Sequence, residues 1–485
     1  MKTLFKQSLV IFFILMLSAC VTIRYSKTKI VQSPPDVIHV SQPTPNISPD
    51  TEKWDINSPL SITTALQLAL KNNPDTRMAL ARIEQARADI RSARSAFFPT
   101  IDFYTEFVSG ETPSGYLFKT IDQRKLPPNT NFNNPGWFEN YETGVNVNYT
   151  IFSGGRHFLS QKMAQKSEHA SHLDKTAIEN QLMASVVNAY YDALAAEDYI
   201  HIARESVASV EEQLRMMQVR FEAGGALQSD VLSLQVRLAQ VKEAVVRSTN
   251  QQKISIAVLS NLIALTPDHT IILKKTETQW IDVPENDSDG FQFSIENRPE
   301  IHKVHTQISQ SRLGVDAAMT GYLPQVNLFT RHYYDAWDMG YHSKRRNWSA
   351  GAMLNWNLFN GMQTQAQVDK ASARLQELTE AYRKIIMDIR LDVKNAYLNL
   401  DAANARLIVA KSSVESAQES FQQVKKQYEG GSANITRYLE AELDRNRARI
   451  SATAAYYDRE KGYSNIARAI GLWSKWEPSH KRTTE

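Results

Sequence analysis

Apolar residues in two stretches of the chain recur at alternating intervals of three and four positions. In the first stretch they are Val207, Val210, Leu214, Met217 and Phe221, and the same spacing recurs 207 positions later. This heptad pattern places the apolar side chains along one face of a helix, where they form the seam of a coiled coil. Both stretches are therefore predicted to be helices that pack against partner helices.

Each of these helical patterns stops at a pair of glycines, and another helical pattern follows at once. Glycine adopts the left-handed backbone conformation that ends many helices, and it does so without steric cost. The sequence therefore predicts two antiparallel helical hairpins, with tips at 222–227 and 429–434. The glycine pairs are Gly224 with Gly225 and Gly430 with Gly431.

The helix that leads into each tip is predicted to be unusually long. The stretch 152–221 contains no proline, and at 1.5 Å per residue a helix of this length spans roughly 100 Å. Two shorter helical patterns, 62–98 and 228–265, would together reach a similar length. Such helices are typical of a coiled-coil stalk or tunnel and not of an ordinary globular domain.

Short segments between the helices alternate apolar and polar residues with a period of two. Val145, Val147 and Tyr149 face one way, while Asn146 and Asn148 face the other. This alternation is typical of a membrane barrel strand. Each half of the chain thus follows the order helix, strand, loop, strand, helix, turn, helix. The four predicted strands are 100–109, 143–152, 325–334 and 348–359.

The two halves of the chain are repeats of each other. The segment NPDTRMALARIEQARADIRSARSAFFPTIDF aligns with RPEIHKVHTQISQSRLGVDAAMTGYLPQVNL at an offset of 225, and from Gly144 onward the offset is 207. The difference of 18 residues falls between Pro99 and Gly144, so the Pro- and Asn-rich segment 109–142 is expected to be a loop. The predicted bounds are a first repeat at 60–265, a polar linker at 266–291, a second repeat at 292–473 and a polar tail at 474–485.

The N-terminus has the features of a secretory signal at 1–19. Lys2 and Lys6 precede an apolar run that ends in LSAC, and this run is too short to span a bilayer. The tetrapeptide resembles a bacterial lipobox, which implies a covalent lipid on Cys20. Cys20 is the only cysteine, so no internal disulfide is expected. The resemblance to bacterial lipoproteins implies sorting to the outer membrane, because Val21 and not aspartate follows Cys20. The Pro-rich segment 20–59 is expected to be a lipidated spacer.

Charge and sequence motifs give no support for three classes of protein: nucleic-acid-binding proteins, enzymes and metalloproteins. The formal net charge of +3 gives no support for nucleic-acid binding. No Ser-His-Asp, Cys-His or HExxH arrangement is present, so no catalytic residue and no enzymatic activity are predicted. Two histidine pairs share a helical face but lack a third ligand, so no metal site and no cofactor are expected. The pairs are His169 with His172 and His302 with His305.

The strands also predict assembly. No segment after Leu17 is long and apolar enough to cross a membrane as a helix, so any crossing requires β-strands with every edge closed. Four strands are too few, because about eight is the practical minimum for a barrel. Three copies would supply 12 strands. The predicted fold class is therefore mainly α with a membrane β-barrel part, internally duplicated, with four strands per protomer.

These features together resemble the TolC-family outer-membrane factors, in particular their lipoprotein branch, over roughly 60–473. The resemblance rests on the duplication and on the motifs FSGG, RFEAGGALQSDVL and QYEGGSANITRYLEAE. It implies a homotrimer whose 12-stranded barrel in the Gram-negative outer membrane is continuous with an α-helical tunnel through the periplasm. The hairpin tips would close the tunnel, and a periplasmic adaptor (membrane fusion) protein and an inner-membrane pump of RND or ABC type would engage them.

The same resemblance assigns the candidate gate. Glu440 matches an acidic position at the narrowest point, Arg437 occupies a second position that is acidic in some members, and Asp230 matches an acid after the first tip. Tyr428 matches a tip tyrosine. Each has an alternative explanation: the helix dipole stabilises an acid such as Asp230, Arg437 suits a solvated face, and Tyr428 continues the heptad seam. The tip glycines are expected to contact the adaptor.

Three functions are compatible with these features. The favoured one is a passive outer-membrane duct for efflux of small molecules, such as drugs, toxic compounds or metal ions. The alternative within the family is type I polypeptide secretion, which the sequence does not separate from efflux. The rival is a lipid-anchored structural coiled-coil protein of the envelope. The alternating strands favour a duct, because a spacer has no use for them.

Overall fold

The computed structural model of the protein describes residues 58–266, 271–275, 283–338 and 345–475. The predicted signal peptide, Cys20 and almost all of the spacer lie outside these residues, as do parts of the linker and of the tail. The described α-helices, in chain order, are α1 Ile62–Asn72, α2 Pro74–Ser95, α3 Pro113–Asp122, α4 Arg156–Glu222, α5 Gln228–Leu262, α6 Asp287–Asn297, α7 Pro299–Met319, α8 Gln363–Glu429 and α9 Ile435–Ala469.

Two helices dominate the described part of the chain. Helices α4 and α8 have 67 residues each, which corresponds to roughly 100 Å. α5 packs along α4, and α9 packs along α8, so the two predicted helical hairpins are confirmed. Between the middle of the body and the sheet, α2 packs against α4, and α7 packs against both α4 and α8. None of the described helices is long and apolar enough to cross a membrane.

The helical pattern predicted at 62–98 is divided into two helices. Asn73 has extended backbone, ends α1 and begins α2, and its side chain accepts a hydrogen bond from the Asp75 N–H at 2.8 Å. Pro74 explains the break, because proline disfavours the helical conformation in the residue before it and lacks an N–H group. The Asn73 amide also donates to the Leu262 carbonyl at 2.9 Å, which ties this corner to the end of α5.

The largest buried cluster lies midway along α4, around residues 182–195, and includes α1, part of α8 and the ends of α5 and α9. The beginning of the described chain is fixed here. Leu60 forms a parallel bridge with Leu273, and the Tyr190 hydroxyl donates to the carbonyls of Leu60 and Lys274, at 2.9 and 2.7 Å. The described chain therefore begins about half-way along α4.

The strands form one antiparallel sheet in the order β1-β2-β3-β4. Two bounds differ from the prediction by more than two residues. β2 begins at Phe138, five residues earlier than expected, and β4 ends at Asn355, because the chain then turns into α8 through left-handed backbone at Gly361 and Met362. The strands are β1 Thr100–Gly110, β2 Phe138–Phe152, β3 Gln325–Ala336 and β4 Arg346–Asn355.

The two sides of the sheet differ in chemistry, as the period-two pattern predicts. The register aligns Asp102 with Asn146 and Arg331 on one side, and Ile101 with Val147 on the other. The polar face comprises Asp102, Tyr104, Glu106, Asn140, Glu142, Asn146, Asn148, Arg331, Asp335 and Asn347. The apolar face comprises Ile101, Phe103, Phe107, Val145, Val147, Tyr149, Leu328 and Trp348, and several of these side chains are more than half exposed.

Half of the segment 109–142, predicted to be a loop, is regular structure. It contains helix α3 and the first residues of β2. Pro113 lies at the first turn of α3, where its missing N–H costs nothing and its fixed φ favours a helix. The Phe138 side chain is buried and covers Gly115 on this helix. The expectation of a loop was wrong for 113–122 and for the start of β2, because proline and glycine here begin and pack a helix.

The helical tip as the candidate functional site

The two tips share one backbone conformation. Gly224 and Gly431, which correspond at the offset of 207, have φ angles of +75° and +77°. The N–H of the residue after each glycine donates to a carbonyl five residues back, from Gly225 to Arg220 and from Ser432 to Gln427, at 2.8 Å in both. This is the helix-ending motif that requires a left-handed residue. Gly430, by contrast, has φ of −81°, which any residue adopts.

This difference gives a first test. Gly431→Ala is expected to cost about 1–2 kcal/mol of stability, because the left-handed conformation is unfavourable for a residue with a Cβ, and nothing lies within 4 Å of the added atom. Gly430→Ala is the matched control, and its Cβ would lie 3.3 Å from the Lys426 carbonyl oxygen. Thermal unfolding of the two variants measures the difference. Equal losses would contradict the assigned turn.

Behind the tips the two hairpins pack against each other through a common apolar cluster. Tyr428 is 7% exposed, and its ring centroid lies 5.2 Å from that of Tyr438. Burial raises the pKa of Tyr428, and the Arg220 guanidinium lies 5.8 Å from its ring centroid. The structure thus places Tyr428 in the seam between the helices. The tip cluster comprises Val210, Met217, Leu234, Val241, Phe421, Val424, Tyr428, Ile435, Tyr438 and Ala441.

The other gate candidates lie at the surface of the protomer. Arg437 and Glu440 are well exposed on the first turns of α9, and their charged groups are 3.7 Å apart. Asn434 caps this helix by accepting a hydrogen bond from the Arg437 N–H at 2.9 Å. Asp230 lies in the first turn of α5, on the other hairpin. The structure therefore pairs Arg437 with Glu440, and their role in a gate stays a prediction, as does that of Asp230.

The sequence reasoning missed a buried carboxylate close to the tip. The Glu442 side chain has no exposed surface, and its Oε2 lies 2.6 Å from Nη2 and 3.2 Å from Nε of Arg237. Its Oε1 accepts hydrogen bonds from the Ser206 hydroxyl at 2.5 Å and from the Asn446 amide. The Asn446 amide also donates to the Ser206 hydroxyl at 3.0 Å. These four residues are called the Glu442 cluster below.

The Glu442 cluster joins the two hairpins. Ser206 lies on α4 and Arg237 on α5, whereas Glu442 and Asn446 lie on α9. Glu442 is seven residues into α9, which places it about 10 Å from the turn. A buried carboxylate that loses its cation carries a large penalty. The hairpins can therefore separate near the tip only if this penalty is met or a new partner is supplied.

The two histidine pairs contact a glutamate and a tyrosine, respectively. His172 lies 3.3 Å from Glu168, and the His305 ring lies against Tyr382 with centroids 4.7 Å apart. In the described part of the chain, no group of three or more His, Cys, Asp or Glu side chains could hold a metal ion.

Two long helices also carry apolar side chains that the rest of the described chain leaves more than half exposed. Their spacing fits two positions of a heptad, as in the seam of a coiled coil. On α8 they are Met387, Leu391, Leu398 and Ile408, which are 71%, 60%, 51% and 72% exposed. On α5 they are Leu232, Val236 and Val246, which are 53%, 60% and 69% exposed. These two sets are called the α8 stripe and the α5 stripe.

Comparison with known proteins places these features in a family. The family model described as "Outer membrane efflux protein" matches residues 65–265 and 291–472. The pyoverdine export outer membrane protein OpmQ of Pseudomonas aeruginosa is 23% identical over 407 residues, which cover 84% of each chain. The probable outer membrane lipoprotein SilC of Salmonella typhimurium is 21% identical over 412 residues, covering 83% of this chain and 84% of SilC.

A solved structure shows the same fold. The crystal structure of the CmeC outer membrane channel of Campylobacter jejuni matches with a TM-score of 0.72 at 19% identity, covering 87% of both chains. The two segments matched by the family model also coincide with the two repeats and include both tips. The chain therefore belongs to the outer membrane efflux protein family.

Proposed function

We propose that the protein is the outer-membrane channel of a tripartite export system, a passive trimeric duct for small molecules that is gated at the helical tips. One observation carries the proposal, namely the combination of two features in each protomer. The sheet has one polar face and one exposed apolar face, and two 67-residue helices lead from the sheet to the hairpin tips. The relative OpmQ, named for pyoverdine export, supports a small-molecule substrate.

The sheet supports a barrel shared between copies. β1 and β4 are the edges of the four-stranded sheet, so each presents a row of unpaired backbone groups. Pairing β4 of one copy with β1 of the next satisfies both edges, and three copies close a ring of 12 strands. The apolar face then contacts lipid, and the polar face lines the duct. This arrangement explains why Phe103 and Trp348 are 72% and 73% exposed in a single protomer.

The helices support the same assembly. The α8 stripe and the α5 stripe are exposed seams on opposite hairpins, and contact between neighbouring copies would bury both. Native mass spectrometry of the detergent-solubilised protein is expected to give a trimer, and Leu391→Glu to give monomers. Asn399→Glu is the control, because it adds the same charge on α8 outside the stripe. A wild-type monomer would contradict the proposal.

A lipid anchor on Cys20 is part of the proposal. Tyr190, which holds Leu60, is 34 residues beyond Arg156 at the sheet end of α4, a rise of about 50 Å. Leu60 lies 40 positions after Cys20, and a Pro-rich extended segment of that length would reach about 120 Å. A lipid on Cys20 can therefore insert at the level of the sheet while the chain joins the body at its middle. The relative SilC, named as a probable lipoprotein, supports this anchor.

Export is tested in cells. A strain without the protein is expected to accumulate a fluorescent small-molecule pump substrate, and the wild-type chain to restore low accumulation when its adaptor and pump are present. Restoration of polypeptide secretion with no change in accumulation would contradict the efflux assignment and favour type I secretion. Failure to restore either activity in outer membranes that contain the protein would favour a structural role.

A further inference from the structure

Helix α3 lies on the polar face of the sheet. Lys119 on this helix points at two buried acids, with its Nζ 2.5 Å from Glu142 Oε2 and 3.3 Å from Asp335 Oδ1. The Gln123 amide donates to Asn140 Oδ1 at 2.8 Å. The residues contacted are on β2 and β3, and all belong to the polar face. The helix therefore covers the side of the sheet that faces away from lipid in a closed barrel.

The end of the helix reaches across to a further strand. Arg124 ends α3 in a left-handed conformation with φ of +57°, and its Nη2 donates to Asn347 Oδ1 on β4 at 3.1 Å. The Lys125 N–H donates to the Thr120 carbonyl at 2.9 Å, which completes the helix-ending turn. Contacts on β2, β3 and β4 thus fix α3 across the polar face, as part of the folded structure.

The acids beneath α3 are fully partnered, which makes the attachment strong. Glu142 also accepts a hydrogen bond from the Tyr104 hydroxyl at 2.7 Å and pairs with Arg331. Asp335 accepts from the amides of Asn140 and Asn347, at 2.7 and 3.1 Å. Buried charges are tolerated when they are paired and hydrogen-bonded in this way. Of these contacts of Asp335, only the hydrogen bonds from the neutral amides of Asn140 and Asn347 would remain if Lys119 were lost.

The ammonium group of Lys119 is also held in its charged form. Burial alone would lower the pKa of Lys119, but the hydrogen bond to Glu142 and the charge of Asp335 together raise it above its ordinary value. The attachment of α3 therefore persists across the physiological pH range.

The other side of α3 is apolar and is exposed in the described part of the chain. Phe118 is 65% exposed and Ile121 is 40% exposed. Both project away from the direction of Lys119 on a helix with 100° between successive residues. A surface helix normally places its apolar side chains against the body and its charges toward water. Here the arrangement is reversed, so the apolar side chains point into the space above the polar face.

We infer that α3 forms a hydrophobic constriction in the outer mouth of the duct, with Phe118 as the narrowing side chain and Lys119 as the residue that positions the helix. The inference rests on the proposed function, because the polar face becomes the wall of a lumen only when three copies close the barrel. The three α3 helices then project Phe118 toward one axis. Apolar constrictions restrict passage by narrowing and by dewetting.

The test measures access from outside in intact cells. Asn148→Cys places a thiol on the polar face of β2, closer to the helical body than the Glu142 site under α3. The matched control is Val147→Cys, at the adjacent position on the apolar face. Cys20 is the only natural cysteine, and its thiol is lipidated under the proposed function. Cells are treated with a small and with a bulky membrane-impermeant maleimide.

The small reagent is expected to label Asn148→Cys and not Val147→Cys, whereas the bulky reagent labels Asn148→Cys slowly. Adding Phe118→Ala should raise the rate with the bulky reagent by about tenfold, because access through a pore depends on its diameter. Phe132→Ala, which removes another exposed aromatic ring from the same inserted segment, should leave the rate unchanged. Lys119→Ala should raise the rate with the bulky reagent as Phe118→Ala does, because it releases the helix. Lys119→Arg should leave this rate low.

A second variant removes α3 altogether, in case other side chains of the helix fill the space that Phe118→Ala leaves. Gly110 pairs with Phe138 at the end of β1 and β2, so residues 111–137 can be replaced by a two-residue Asn-Gly hairpin turn. This variant should label fastest. If the bulky reagent labelled Asn148→Cys no faster after Phe118→Ala or the turn replacement than without them, the constriction alone would be overturned. Failure of even the small reagent to label Asn148→Cys would overturn the proposed duct, and the constriction with it.

Discussion

Arg237→Ala is expected to destabilise the packing of the two hairpins near the tip by about 3–5 kcal/mol, because it leaves a carboxylate buried without its cation. Glu442 has no exposed surface, and Arg237 contacts it through two nitrogens. Ser206 and Asn446 supply neutral hydrogen bonds that cannot replace the lost charge. The tip should therefore open more often, since the two hairpins lose their buried link about 10 Å behind the turns.

Hydrogen exchange measures this effect directly. Amides at the ends of α4 and α9 that flank the tips should exchange about 100-fold faster or more, because each 1.4 kcal/mol corresponds to a factor of ten. Arg447→Ala is the control, because Arg447 lies on α9, the helix of Glu442, and is 69% exposed beside Asp444 at 4.0 Å. It should change exchange little, as exposed ion pairs contribute little. Equal acceleration in both variants would contradict the role of the Glu442 cluster.

Asp392→Ala is expected to cost about 2 kcal/mol in the middle of the body, because two arginines lose a charged hydrogen-bond partner. Asp392 on α8 accepts from Arg468 at 2.7 Å and from Arg298 at 3.0 Å. Arg298 is itself buried and also donates to the Ala469 carbonyl at 2.9 Å. The carboxylate thus joins the start of α7 and the end of α9 to α8, next to the main core.

The effect of Asp392 should depend on pH. Burial alone would raise the pKa of Asp392, but the hydrogen bonds and charges of Arg468 and Arg298 lower it below its ordinary value. Its stabilising contribution is therefore complete above the unfolded pKa of about 3.9 and is lost as the pH falls through the lower folded pKa. Melting temperatures of wild type and Asp392→Ala should differ most near neutral pH and converge in acid.

Asp388→Ala provides the control for this measurement. Asp388 lies one turn earlier on α8, and its pair with Lys384 is well exposed. This variant should melt close to wild type at every pH. A difference between wild type and Asp392→Ala that grew as the pH fell would contradict the assignment.

The fold class could be predicted because its signals are local and repeated. The heptad seam that ends at Phe221 and the glycines at 224 and 431 are periodic or conformational signals that one helix or turn determines alone. The alternation around Val147 likewise predicts a strand with two different faces. The break at Asn73 was also present in the sequence, as Asn-Pro, but it lay within a pattern long enough to suggest one helix.

The Glu442 cluster could not be predicted, because it depends on partners far apart in sequence. Glu442 lies 205 residues from Arg237 and 236 from Ser206. An acid in the first turns of α9 resembles the exposed Glu440 two positions earlier, and only the packing of the hairpins distinguishes them. Helix α3 was missed for a related reason, since Lys119 is attached through acids on β2 and β3.

Single-channel conductance of the purified, lipidated protein in planar bilayers tests the central claim most directly. Wild type is compared with Glu440→Gln and Arg437→Ala, which alter the exposed pair at the second tip. A duct narrowed at its tip predicts small wild-type currents whose size or cation selectivity changes in at least one variant. Absence of current in all three proteins, together with a monomer in detergent, would contradict the duct and favour a structural envelope protein.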